Sequence, residues 1–327
     1  MKRRKAFMEK RPHRSFVRTR RRDYKRELHL PGYVSFTVEV ARSLWREKKI
    51  FVWVVITFAI FSAALVGIGS QEVYAQLSNF IKTGEESVLN GLWGEVTKSS
   101  ILIFSAVTGS LQEAPTVLQQ VYNALLLLFT WLTAVWLWRA IRTGARPRFR
   151  DGLYNAGAPI IPTILVGLVA ILQLVPASLA VIGYGAASGS EILSNGVEAM
   201  VFWSVAALLV LLSAYWLTST ALALVVITLP GMYPVKALRA AGDLVTGRRV
   251  RVLLRIAWLG LTVVLAWAVV MIPFVMLEGW LSSKFVIMTQ LPIIPVLLLC
   301  FSSATVVWVA SYIYLLYRKL VNDNATN

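Results

Sequence analysis

The residues with the plainest chemistry in this chain are cations. Arg18, Arg20, Arg21, Arg22, Lys25 and Arg26 crowd around Tyr24, Arg146 and Arg148 sit in the stretch RAIRTGARPRFRD, and Arg248, Arg249 and Arg251 follow Gly247. A guanidinium fork matches the oxygens of a phosphate or carboxylate. The chemistry on offer is therefore the holding of anionic groups. Catalytic patterns do not accompany it. The two histidines, His13 and His29, both lie in the basic head, and Cys300 is the sole cysteine. A His-Glu metal pair, a Cys ligand set and a Ser-His nucleophile pair are all excluded from the apolar part of the chain. The glycines of GYGAASGS (Gly183, Gly185, Gly189) follow an apolar run and read as a turn rather than a phosphate cradle. The expectation is a non-enzymatic protein with no cofactor and no metal.

The elements that must position these cations are six long apolar runs. They are Ile50 to Ile68, Val121 to Trp138, Ala158 to Tyr184, Val201 to Leu229, Val252 to Leu277 and Leu291 to Tyr317. Each is close to or above the roughly 20 residues that cross a hydrocarbon core as a helix. Within them only Arg255 is charged. The runs are continuously apolar, whereas the strands of a membrane barrel alternate. With 57% apolar and 15% charged residues, the chain departs far from the composition of a soluble domain. The fold class is thus an all-α integral membrane protein, six transmembrane helices with short interfacial helices. No cleavable signal peptide is expected, since the first run begins at Ile50 and reads as a retained anchor.

Charge sets the orientation. Residues 1–49 hold 17 Lys/Arg against 5 Asp/Glu, which is +12 of the net +17. The connections after the second and fourth runs are also rich in arginine. The alternate connections, 69–120, 184–198 and 278–290, are acidic or nearly neutral. By the positive-inside rule both termini are cytoplasmic. Trp53, Trp131, Trp138 and Trp280 lie near span ends and suit aromatic belts.

The domain reading follows from this. Residues 1–32 form a basic, mostly disordered tail. Residues 33–49 form an amphipathic interfacial helix with Tyr33, Phe36, Val40 and Leu44 on one face. Residues 50–317 are the six-helix membrane domain, with an outer segment 69–120 and a cytoplasmic linker 230–250, and 318–327 are a short tail. Two short helices are expected in the outer segment, and the apolar stretch 101–107 caps the bundle or re-enters it. Ala59, Ala63 and Gly67 form a small-residue stripe for close helix packing. Pro176 and Pro273 should kink their spans. The mid-span polar groups Gln173, Thr218, Ser219, Thr220, Ser302, Ser303 and Thr305 read as interhelical glue, with runs four and six facing one another.

There is also an internal echo. Pro159-Ile-Ile-Pro162 matches Pro292-Ile-Ile-Pro295, and Leu132-Thr133 with Val135 and Trp138 matches Leu261-Thr262 with Val264 and Trp267. Runs two and three would then map onto five and six, as in inverted-repeat transporters.

In the linker, Pro234 suits a first helical turn. Val235, Leu238, Ala241 and Val245 form an apolar face, and Gly247 suits the C-terminal end. The stretch Leu229-Pro-Gly231-Met-Tyr-Pro234-Val-Lys-Ala237-Leu238-Arg239-Ala-Ala241-Gly-Asp243-Leu244-Val-Thr-Gly247-Arg-Arg resembles the cytoplasmic linker of a broad bacterial family of six-helix membrane domains. That family includes the membrane domain attached to some glycerophosphodiester phosphodiesterases. Gly231, Pro234, Ala237, Leu238, Leu244 and Gly247 match in order and spacing. Pro230 stands where the family often has Glu, and Ala241 where it has Ser. The resemblance implies a six-helix fold in the bacterial cytoplasmic membrane and no catalysis by the membrane domain itself.

Three kinds of partner fit the cations: anionic lipid headgroups, a protein partner, and nucleic acid or a ribosome through the basic tail. No RNA-binding motif accompanies the tail. A juxtamembrane polybasic segment binds anionic lipid without further help, at about 1 kcal/mol per basic residue. Lipid is therefore the leading expectation, followed by a protein partner. A small transporter or lipid-handling protein, with a cavity between helices 3 to 6, is the alternative from another class.

Overall fold

In the computed structural model, the residues described are 30–66, 117–188, 196–284 and 293–326. Nine helices occur among them, in the order α1 Tyr33–Arg46, α2 Lys48–Leu65, α3 Val117–Arg142, α4 Phe149–Ala156, α5 Ile160–Ser188, α6 Gly196–Val226, α7 Pro234–Val245, α8 Arg249–Lys284 and α9 Ile293–Thr326. No strand is present among the described residues. Helices α2, α3, α5, α6, α8 and α9 are long and apolar enough to cross a bilayer. The chain is a multi-pass, all-α membrane protein.

Several expectations meet different particulars. The basic tail up to His29, most of the outer segment 69–120 with its stretch 101–107, Gly67 of the small-residue stripe and Pro292 of the echo lie outside the described residues. Past Tyr317, the end of the last apolar run, α9 continues to Thr326. Its extension has a buried residue, Leu320, which explains why it stays helical. The loop after the second run holds an unexpected short helix, α4. Its sequence signal is Asp151, whose carboxylate accepts the backbone N–H of Arg148 at 2.8 Å and caps the first turn. Gly144 closes α3 just before it, at φ +84, with the N–H of Ala145 reaching back to the carbonyl of Ala140 at 3.1 Å. Gly152 of α4 packs so tightly on α3 that a Cβ there would lie 3.0 Å from the Leu137 side chain.

The chain divides into two compact units. One is Gly32–Ile161 with Ala257–Leu315, and the other is residues up to Pro31, Pro162–Ile256 and Leu316 onward. The boundary falls within α8 and α9, so each contributes a stretch to both.

The first of these units is organised by tryptophans. Trp138 on α3 is fully buried and donates its indole N–H to Ser311 Oγ on α9 at 2.6 Å. Trp267 on α8 does the same to Thr305 Oγ1 on α9 at 3.0 Å. Each hydroxyl passes its own proton to its helix backbone, Ser311 to Val307 and Thr305 to Phe301. The two tryptophans occupy matching places in the sequence echo. Trp138 is thus a core residue, not part of an aromatic belt, whereas Trp53 is 60% exposed and suits one. Phe51 of α2 lies 5.1 Å from the Trp138 ring, and Phe301 lies 4.9 Å from Trp267.

Helix α1 is amphipathic as expected, but its apolar face meets protein. Phe36 and Val40 are fully buried. Phe36 sits edge-on to Tyr312 of α9 at 4.9 Å, and Thr37 accepts the indole N–H of Trp258 of α8 at 3.0 Å.

The second unit solves its polar problems within α5, α6 and α7. Pro176 interrupts the hydrogen-bond ladder of α5. The N–H of Ala177 donates instead to Ser213 Oγ of α6 at 3.0 Å. One turn away, Thr220 donates to Gln173 Oε1 at 2.6 Å. Among the mid-span polar groups, Gln173, Thr220 and Thr305 act as interhelical glue, with the bonds of Thr220 and Thr305 going to α5 and α8 rather than from run four to run six, while Thr218 donates to the Ala214 carbonyl of its own helix. Helix α7 packs on α6. Its buried stripe is Ala237, Ala241 and Val245, with Leu238 half-buried and Val235 exposed, so the inner face is centred one residue earlier than Leu238.

The Trp138–Ser311 bond generates a direct test. Ser311→Ala strands a buried indole N–H, which costs about 1–3 kcal/mol. In a Trp138→Phe background the same change should cost less, leaving a coupling of about 1 kcal/mol, within the range found for such bonds in membrane proteins. Denaturation in detergent of the four members of the cycle measures it. Equal cost of Ser311→Ala in both backgrounds would mean that the hydroxyl does not serve the indole.

Candidate functional site

The structure separates the cations expected from sequence into three groups. Arg18, Arg20, Arg21, Arg22, Lys25 and Arg26 lie outside the described residues. Arg146, Arg148 and Arg251 are exposed. Arg248 and Arg249 are engaged by the protein.

Arg248 is only 2% exposed. Its Nε donates to the Leu244 carbonyl at 3.0 Å and its Nη2 to the Leu320 carbonyl at 3.1 Å. These bonds make Arg248 a strut between the end of α7 and α9. The cause is local. Gly247, at φ +82, turns the chain out of α7, and Arg248 then heads the buried stripe Arg248, Val252, Arg255, Leu259 of α8. That spacing of four, three and four was readable in the sequence. Arg251 falls off the stripe. Arg249 stacks on the Tyr215 ring, 4.3 Å from its centroid, and donates to Ser219 Oγ at 3.1 Å. Arg255, the one charge within the runs, is buried and donates through Nη2 to the Pro31 carbonyl just before α1.

What sequence reading missed altogether is a partly open groove of about 780 Å³ walled by α1, α2, α8 and α9. Its size is that of a ligand site. The helices that form it are the first, fifth and sixth spans with α1, not the set 3 to 6. Leu44, Phe51, Val55, Ala266, Phe301 and Val307 are among the apolar residues of its wall. Three threonines also line it, but their protons are spent. Thr37 donates to the Tyr33 carbonyl, Thr262 to that of Leu259 and Thr305 to that of Phe301. Thr37 and Thr305 also accept indole N–H groups from Trp258 and Trp267. The single charged lining residue is Lys48, whose ammonium lies 4.6 Å from the Trp45 ring centroid.

Among the described residues no cluster of three or more His, Cys, Asp or Glu is placed to hold a metal ion. No family model, curated protein or solved structure matches the chain.

The contrast between buried and exposed arginines is testable. Arg248→Ala removes charge-assisted bonds and leaves two carbonyls to other partners, so it should cost about 1.5–3 kcal/mol. Arg248→Lys should restore little, since a point charge cannot span both carbonyls. Arg251→Ala should stay within about 0.5 kcal/mol. Melting in one detergent compares the three. A harmless Arg248→Ala would remove the strut from the account.

Proposed function

We propose that this protein is a non-enzymatic multi-pass protein of the bacterial cytoplasmic membrane whose basic face holds anionic lipid headgroups, with both termini cytoplasmic. Kinship with the six-helix family that the linker resembles is part of the proposal. The observation that carries the reading is the set of exposed cations in the connections between spans. Arg146 and Arg150 lie between α3 and α5, Lys236 and Arg239 on α7, and Arg251 in the first turn of α8. None forms an ion pair among the described residues. On this reading these cations, in the connections between spans, meet lipid phosphates, and each contributes about 1 kcal/mol toward an anionic surface.

The test is stabilisation by added lipid. A ligand that binds the folded state alone raises its stability, by about 2.7 kcal/mol at a hundred times its dissociation constant. In neutral detergent, phosphatidylglycerol should raise the melting temperature more than phosphatidylcholine does. Combining Arg146→Gln, Arg150→Gln and Arg239→Gln should shrink that difference, as should high salt. Equal stabilisation of the unaltered protein by both lipids would overturn the reading.

A further inference from the structure

We propose that the groove between α1, α2, α8 and α9 is a binding site for one anionic phospholipid, with an acyl chain along its wall and the phosphate at Lys48. The headgroup half of this assignment rests on the anionic-lipid reading above. The chain half rests on the wall itself.

A polar solute would fare badly in this groove. Binding there would strip its water, and the wall offers no hydroxyl proton in exchange, because Thr37, Thr262 and Thr305 all donate to their own helices. An unmet polar group in an apolar site is costly. A hydrocarbon chain incurs no such cost and gains contact with Leu44, Phe51, Val55, Phe301 and Val307.

The donors that remain point to the other end of the ligand. Lys48 is the first residue of α2, so its ammonium adds to the positive end of that helix dipole. The carboxylate beside it, Glu47, is paired with Arg46 at 3.4 Å, while Lys48 has no ion pair among the described residues. Trp45 and Trp308 also belong to the lining, and neither indole N–H has a hydrogen-bond partner among the described residues. A site with an apolar wall, ammonium and indole donors and no carboxylate among its described lining residues selects a molecule with a long chain and an acceptor-rich, negatively charged head. In a protein whose helices lie in a bilayer, a phospholipid is that molecule. Lys48 reaches it as membrane lysines do, its stem along the apolar surface and its charge toward the headgroups.

The experiment uses the full chain in mild detergent, with phosphatidylglycerol or phosphatidylcholine added and retained lipid counted by native mass spectrometry. The unaltered protein should hold one phosphatidylglycerol in preference to phosphatidylcholine. Ala304→Trp and, separately, Ala266→Phe fill the groove from α9 and α8 and should each abolish that retention. Melting in the same detergent identifies whichever variant remains folded. Lys48→Gln should weaken phosphatidylglycerol by roughly tenfold, as expected for losing a charge-assisted bond, with phosphatidylcholine unchanged. Wild-type retention in a folded, groove-filled variant would overturn the site. So would a Lys48→Gln protein with the wild-type preference. Failure of the basic-face reading looks different. In that case the Arg146, Arg150 and Arg239 substitutions leave lipid stabilisation untouched, while Ala304→Trp still removes the retained lipid.

Discussion

An indole N–H that leaves water must find an acceptor, and inside a bilayer no water supplies one. Helix α9 supplies two. Ser311 takes the proton-bearing edge of Trp138 and Thr305 that of Trp267, and each hydroxyl hands its own proton to a carbonyl one turn back. The arrangement satisfies every group in it. It also fixes which faces of α3, α8 and α9 meet, in a setting where lipid is as apolar as a leucine side chain and hydrophobicity alone cannot choose a face. Around these bonds pack Phe51 and Phe301, and beside them Tyr312 receives Phe36 of α1. The other unit obeys the same constraint by other means. Ser213 takes the N–H that Pro176 displaces, and Arg248 satisfies carbonyls at Leu244 and Leu320.

The groove is a consequence of that bookkeeping. Threonines that could have lined a polar path are bound to backbone or to tryptophan, so a surface that reads as mixed in sequence becomes chemically apolar in the fold. Trp267 is held in the wall by Thr305, and Trp258 is held against α1 by Thr37. The same interactions that dock α1 therefore set the groove's shape. The only charge among its described lining residues is Lys48.

The sequence carried the number, length and approximate limits of the spans, because a run of some twenty apolar residues has one physical outcome in a bilayer. It carried α1 and α7, whose apolar faces alternate with charge at helical spacing, and the turn at Gly247. It did not carry the partner of any hydroxyl. Along α6 apolar residues occur all round the helix, so periodicity cannot separate core from lipid; Leu208 and Leu211 are exposed and Leu222 is buried with no difference in type. The fate of Arg248 was legible only through its spacing to Val252, Arg255 and Leu259, a signal overridden by the expectation that arginines after a span meet headgroups. The groove was not legible at all, since it depends on how α1 folds back against α8 and α9.

The measurement that bears most directly on the account is a cryo-electron microscopy map of the full chain in nanodiscs containing phosphatidylglycerol. The account predicts rod-like density along Phe51, Val55, Phe301 and Val307 that ends in a phosphate within hydrogen-bonding distance of the Lys48 ammonium. A well-resolved groove closed by side chains, or filled by a chain whose headgroup lies away from Lys48, would contradict it.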